Sequence, residues 1–314
     1  MIEFKNVYKK YENNENTAIS DLNLQINDGD FFVLVGPSGS GKTTTLKMIN
    51  RLIKQTSGEI LIDGQNIENL NLQEMRLKMG YVLQNIALFP NMTIEENITI
   101  QPESLKWSRE KRHKSAMDLL DKVGIPQEYA KRFPRELSGG EQQRVGIIRA
   151  LASNPKIVLM DEPFSALDPI SRNQLQELVL KLHQEMKTTF IFVTHDMNEA
   201  LRLGNTIAIM RMGHLEQIGT RDEIIHNPKN SFVNGFFRNQ HNDDKKIKLI
   251  IDSQNCQEVD YQEPDLNEED NISDLAQILR NKKSALVESS NGKVWKLTIQ
   301  SLLNYLARDG EKDE

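Results

Sequence analysis

Cysteine is nearly absent from this chain: Cys256 is the one thiol in 314 residues. A lone thiol excludes an internal disulfide, and no grouping of Cys and His has the spacing of a metal site. Long hydrophobic runs are missing as well. No stretch approaches the roughly 18–20 apolar residues of a membrane-spanning helix, and the opening Met1-Ile-Glu-Phe-Lys lacks the apolar centre of a secretory signal. The expectation is therefore a protein that is cytosolic or peripheral to a membrane. An excess of positive charge is also lacking. The formal net charge is −6, and residues 240–314 hold 16 acidic against 10 basic side chains, so the whole imbalance lies in the tail and the body is neutral. A neutral body offers no basic footprint for nucleic acid. Heptads and short-period repeats are absent too, which leaves room for one large domain and a small one, or two modest ones.

What is present begins with three short apolar runs, FFVLV at 31–35, IVLM at 157–160 and FIFV at 190–193. Their lack of alternation predicts strands covered on both faces, as in a parallel α/β sheet. Each run ends in small or polar residues: Gly36-Pro37-Ser38, Asp161-Glu162 and Thr194-His195-Asp196. Ligands of open parallel sheets bind at the carboxyl ends of strands, so these three clusters are expected to converge. Before them, Ile2–Phe4, Leu22–Ile26 and Glu59–Ile62 read as an antiparallel margin, with turns at Asn27-Asp28-Gly29 and Asp63-Gly64. Between Asn85 and Ser153 the pattern becomes helical and looks inserted into the sheet domain. Polar residues Arg238–Lys246 read as a linker. Beyond them a helix is expected from Ile272 to Leu279. SALVESSNGKVWKLT then forms a hairpin turning tightly at Asn291-Gly292, and a final helix, Ile299–Ala307, is capped by Thr298.

The chemistry concentrates in GPSGSGKT: Gly36, Pro37, Ser38, Gly39, Ser40, Gly41, Lys42 and Thr43 match the P-loop pattern directly after a strand, with Thr44 next in the helix. Such a loop wraps a phosphate in backbone N–H groups, and the helix behind it adds its positive end. Lys42 would reach the β- and γ-phosphates of a nucleotide, and the Thr43 hydroxyl would coordinate Mg²⁺. Asp161 fits the second carboxylate associated with that metal. Glu162 beside it is placed to orient and polarise an attacking water. His195 could contact the γ-phosphate or serve structure alone. Gln84 could ligate Mg²⁺ or water, or be polar surface; Tyr11 could stack on adenine or simply pack. A second small cradle, Ser138, Gly139 and Gly140 with Glu141 in LSGGEQQRV, reads on its own as a helix N-terminus capped by Ser138.

In order, GPSGSGKT, Gln84, LSGGE, IVLMDEP, Ser165-Ala-Leu-Asp168 and Thr194-His195-Asp196 resemble the motifs of ATP-binding cassette (ABC) transporter ATPases over residues 1–237. The resemblance implies a P-loop NTPase of α/β class: a parallel-sheet core, an antiparallel β subdomain and a helical subdomain at about 85–153. It also implies ATP and Mg²⁺ as ligands, Tyr11 as the adenine-stacking aromatic and Gln84 as sensor of the γ-phosphate and of the membrane partner. Glu162 becomes the catalytic base, Asp168 the D-loop carboxylate and His195 the switch histidine. In this family two cassettes pair head to tail, so Ser138, Gly139, Gly140 and Glu141 would act on the phosphate held by a partner, in a homodimer or with a second cassette chain.

ALFPNMTIEENI at 87–98 resembles the segment that importer ATPases offer to a transmembrane permease, which implies a peripheral subunit at the cytoplasmic face of the membrane, served by a solute-binding protein. GYVLQNIALFPNMTIEENITIQPESLKWSREKR, DPISRNQLQELVLKL and HDMNEALRLGNTIAIMRMG are similar to the importers of quaternary-amine osmoprotectants: glycine betaine, carnitine, choline or proline. Methionine importers are the runner-up, and a soluble ATPase outside transport the more distant alternative. Following a linker at 238–256, residues 257–314 are similar to a single, degenerate cystathionine-β-synthase-type (CBS) motif. Such motifs often regulate osmoprotectant ATPases. Here the acidic bias favours a pairing or relic module over an ionic-strength sensor.

Overall fold

Strand β3, Phe31–Val35, is buried at every residue, and the reason lies on both of its sides. It is central to a six-stranded sheet in the order β10-β9-β3-β8-β7-β6, formed with β6 (Met79–Val82), β7 (Ile157–Asp161), β8 (Thr189–Thr194), β9 (Thr206–Arg211) and β10 (His214–Gly219). Its neighbours β8 and β9 run parallel to it, as do β7 with β8 and β6 with β7; β10 alone is antiparallel. Phe32 and Leu34 face a core shared with Leu159, Ile191, Val193 and Ala208 and with an antiparallel sheet. On the opposite face Phe31 meets Phe190 and Phe192, ring centroids 5.5 and 6.1 Å apart. Two buried faces leave no position for an alternating polar residue.

This computed structural model describes residues 1–11, 17–165, 167–236, 247–252, 256–260, 263–268 and 270–310. The expected linker residues Arg238–Lys246 lie outside them. The chain divides into two compact units, Met1–Val233 and Asn234–Glu314.

In the first unit the antiparallel sheet has the order β2-β1-β4-β5, from β1 (Ile2–Lys10), β2 (Thr17–Ile26), β4 (Ser57–Ile62) and β5 (Gln65–Asn66). The Asp63-Gly64 turn joins β4 to β5, as anticipated. The strand expected at Ile2–Phe4 runs on to Lys10, because register shifts after Phe4 let it keep pairing with β2 through bulges. Helices α3 (Ile94–Ser104), α4 (Arg109–Lys122) and α5 (Gly139–Leu151) enter between β6 and β7.

The second unit, taken by itself, is a sheet in the order β11-β14-β13-β12, with β11 at Gln257–Val259 and β12 at Leu266–Asn267, and helices Ile272–Asn281 and Ile299–Gly310. Two expectations change here. The hairpin of β13 (Ser284–Glu288) and β14 (Val294–Thr298) closes through residues 289–293 rather than a two-residue turn. Backbone bonds close the loop: the Ser289 N–H donates to the Lys293 carbonyl, and the Ser289 carbonyl accepts the Gly292 N–H. Part of the expected linker 238–256 is also a helix, Lys248–Asp252, because Ile247 and Ile250 are buried in this unit's core with Leu275, Val287 and Leu297.

Candidate functional site

β3 delivers the chain at Val35 to the loop 36–41, and α1 (Lys42–Ile49) starts directly after it. Gly41 holds φ +102°, and a Cβ there would stand 2.5 Å from Ile19 Cδ1 and 2.8 Å from the Ala18 carbonyl oxygen. Only glycine closes the loop at that point. No side chain caps α1, which leaves the N–H groups of its first turn and its positive end to an anion. Pro37, Ser38 and Gly39 form an exposed rim, while Gly36 and Ser40 are buried. Lys42 is only 5% exposed. Its ammonium donates to the carbonyl oxygens of Gly36 at 2.7 Å and Pro37 at 2.9 Å. Burial pulls this ammonium below the ordinary lysine range, opposed by the nearby charges of Glu162 and Asp161. A loop of donors around a buried cation suits a phosphate.

β8 and then β7 lie beside β3, and their ends complete the cluster. The Thr43 hydroxyl donates to Asp161 Oδ1 at 2.8 Å. Hydroxyl and carboxylate oxygens are the hard donors that Mg²⁺ takes, with phosphate oxygens and water filling its octahedron. Such a pair fits the ion only in company with phosphate, since no group of three or more Asp, Glu, His or Cys side chains among the described residues could hold a metal. Glu162 has φ +45°, a left-handed conformation costing a non-glycine residue on the order of 1 kcal/mol. Its N–H donates to the Val193 carbonyl at 3.0 Å, which holds the kink in place. The Glu162 carboxylate then meets His195, Oε2 to Nδ1 3.1 Å. A carboxylate backed by an imidazole, next to a phosphate cradle, can accept a proton from water.

Of the residues expected to form the site, Lys42, Thr43, Asp161, Glu162 and His195 come together. Tyr11 reaches the first turn of α1, its hydroxyl 3.2 Å from that of Thr44. Gln84 is exposed just beyond β6, the outermost strand beside β7, and takes no part in the hydrogen bonds of the cluster among the described residues. Asp168 accepts the N–H groups of Ile170 and Ser171 and caps α6 (Pro169–Met186). Ser138 caps α5 in a reciprocal box: its hydroxyl accepts the Glu141 N–H, and Glu141 Oε2 accepts the Ser138 N–H at 2.8 Å. No hydrogen bond among the described residues joins this turn to the loop 36–41 of the same chain.

Two residues that the sequence did not single out support the site. Gln143, almost fully buried, donates to the Pro163 carbonyl at 2.6 Å and so ties α5 to the loop after Glu162. Asn97, fully buried, bonds the Phe89 N–H and the carbonyls of Phe89, Met92 and Thr93, which shapes the segment 87–93. Both lie in stretches quoted above, LSGGEQQRV and ALFPNMTIEENI, but nothing in the spacing marks either residue by itself, because each looks like an ordinary polar position on a helix.

The family model for ABC transporters matches residues 19–165. The YehX glycine betaine uptake system ATP-binding protein of Escherichia coli (strain K12) is 45% identical over 237 residues, covering 76% of each chain. This chain belongs to the ABC transporter ATP-binding proteins. The glycine betaine/carnitine/choline transport ATP-binding protein OpuCA of Bacillus subtilis (strain 168) is 51% identical over 236 residues, 75% of this chain and 62% of that protein. The chain thus spans about three fifths of the length of several such relatives. Among solved structures, a dimeric ATP-binding cassette in a post-hydrolysis state bound to ADP and Pi is 38% identical, with a TM-score of 0.63 over 70% of this chain and 99% of that one. In an ABC cassette the cluster at the ends of β3, β7 and β8 is the expected nucleotide site.

Proposed function

We propose that this chain is the ATP-hydrolysing subunit of an importer, working at the cytoplasmic face of a membrane as a dimer of cassettes. One observation carries the reading: the buried Lys42 cradle, the Thr43–Asp161 pair and the Glu162–His195 pair stand at the ends of adjacent parallel strands. Lys42 and the loop amides hold the phosphates, and Thr43 and Asp161 would hold Mg²⁺, which neutralises phosphate charge when bound. Tyr11 stacks on adenine. Water attacks the γ-phosphorus, the bond to the ADP oxygen breaks, and Glu162 takes the proton while His195 steadies its carboxylate.

The second cradle acts on the partner's nucleotide. Gly139 and Gly140 support this, because a Cβ at either would meet nothing within 4 Å and neither has positive φ. The chain's own fold does not require glycine there, whereas the close approach of another molecule's phosphate does. Asp168 belongs to the same partner-facing rim.

A permease fits beside Gln84. An apolar groove of about 970 Å³ opens there between Tyr81, Leu83, Phe89, Ile100 and Arg149, and Phe89 is nearly half exposed at its edge. No helix among the described residues is long and apolar enough to cross a membrane, so the transport path belongs to that partner. The solute class follows the relatives: a quaternary-amine osmoprotectant, delivered by a solute-binding protein. The tail is a single CBS-like motif that pairs rather than senses ionic strength, since its acidic bias is repelled by anionic lipid.

The test is co-purification and turnover. The full chain should bring down a polytopic membrane subunit and hydrolyse ATP; recovery of RNA or DNA in its place would overturn the transport reading. Thermal shift of the solute-binding partner with glycine betaine, choline, carnitine and methionine then separates the solute classes.

A further inference from the structure

Glu199 is almost fully buried on α7 (Met197–Leu203), and both of its oxygens are engaged. Oε2 accepts the Thr194 hydroxyl at 2.6 Å. Oε1 accepts Gln176 Nε2 at 3.3 Å and lies 4.0 Å from Arg172 Nε. That nitrogen is buried and has no hydrogen-bond partner, so the carboxylate is the charge facing it. Because the single Thr194 proton goes to Glu199, the hydroxyl oxygen remains an acceptor for the Asp196 N–H at 3.0 Å. This closes the turn whose middle residue is His195. On the other side, Arg172 Nη2 donates to the Leu167 carbonyl at 3.2 Å, one residue before Asp168. Arg202 bonds Asn173, Gln176 and Glu177 and fastens α7 to α6.

A buried polar seam of this kind holds two helices less cheaply than apolar packing would. Its ends give it a use. One end is the Leu167–Asp168 turn, which the dimer reading places against the partner; the other is the turn of His195, 3.1 Å from Glu162. We propose that Glu199 is a positioning residue that passes the placement of the Leu167–Asp168 turn, through Arg172 and Thr194, to His195, so that hydrolysis answers to the partner's presence. The inference rests on the ATPase reading above. Burial pushes the Glu199 carboxyl upward and Asp196 adds to this, while the donors Thr194, Arg172 and Gln176 favour its ionised form.

The experiment uses the full chain with ATP. Glu199→Gln keeps the size of the side chain but turns an amide N–H toward other donors. Its kcat should fall about tenfold with KM within about twofold, the pattern of a group that acts only in the transition state. Thr194→Val should behave alike, and Thr194→Ser, which keeps the hydroxyl, should restore the rate. In histidine-labelled NMR spectra the His195 signal, recognised by its loss in His195→Ala, should shift in Glu199→Gln and Thr194→Val but not in Thr194→Ser. The His183 signal, from a ring packed against Phe31, should stay in place. An unchanged kcat in Glu199→Gln, or a lost rate with the His195 signal unmoved, overturns the inference. If Glu199→Gln does not fold, the Thr194 pair carries the test alone. A wild-type chain without hydrolysis would instead overturn the ATPase reading, and the NMR comparison would still decide whether the seam sets His195.

Discussion

Glu162 is the residue on which the proposed chemistry turns, and its surroundings define a narrow test. Replacing it with Gln keeps the side-chain volume and the positive-φ backbone held by the Val193 carbonyl, but removes the proton acceptor. ATP affinity should stay within about twofold while turnover falls at least about 10²-fold, the scale of general-base catalysis; nucleotide titration and phosphate release measure the two separately. Undiminished turnover would move water activation to another group. Lys42→Ala should act on the other quantity: it removes a buried cation and the loop contacts it makes, so ATP binding itself should be lost in the same titration. These residues were legible in the sequence because each stands at a fixed offset from a strand end, and a parallel sheet brings strand ends together whatever lies between. Glu199, Gln143 and Asn97 were not legible. Gln143 finds its partner 20 residues away at Pro163, Glu199 is joined to Gln176 and Arg172 on another helix as well as to nearby Thr194, and Asn97 folds back on a loop without regular structure.

Helix α5 shows how an element joins packing to the site. Its first turn is the Ser138–Glu141 box, and its end passes so near β6 that a Cβ on Gly80 would stand 2.2 Å from the Ala150 carbonyl oxygen. Gly80→Ala must push α5 away from the sheet. The expected loss is about 1–3 kcal/mol in urea unfolding, the usual cost of overpacking, and a wild-type stability would mean that the contact relaxes freely. The box itself is sensitive to acid. The Ser138 hydroxyl, and then its N–H, hold the Glu141 carboxyl below the ordinary glutamate range. A carboxyl depressed in the folded state adds stability above its unfolded pKa, and that stability disappears as pH falls through the folded value. The thermal midpoint of Glu141→Gln should therefore lie below wild type at neutral pH, and the gap should close as the pH drops below about 4. A gap independent of pH would show that charge plays no part in the cap. At this scale the apolar runs predicted their strands because both faces are buried. Bulges lengthened β1 and the loop closed at Ser289 reshaped the tail hairpin, since both depend on backbone hydrogen bonds that hydrophobic patterning does not encode.

At the scale of the whole molecule the sequence poses a question that one chain does not answer: two turns that read as phosphate cradles, nearly a hundred residues apart, with no hydrogen bond between them among the described residues. Ser138 fully explains itself as a cap, yet Gly139 and Gly140 have no reason within the chain to be glycine. A head-to-tail dimer supplies that reason, since each composite site then takes its Lys42 from one protomer and its Ser138 turn from the other. Mixing two inactive variants tests this directly. Lys42→Ala chains have no phosphate grip but an intact turn; Ser138→Arg chains have the grip and a turn blocked by bulk and charge. Each alone should bind or close too poorly to hydrolyse ATP. Mixed at equal amounts and allowed to exchange, about half of the dimers pair one of each, and each such dimer holds one complete site. Recovery should reach roughly a quarter of wild-type turnover for sites that work independently. If both cradles served one nucleotide within a single chain, mixing could restore nothing, because every chain in the tube would lack one of them.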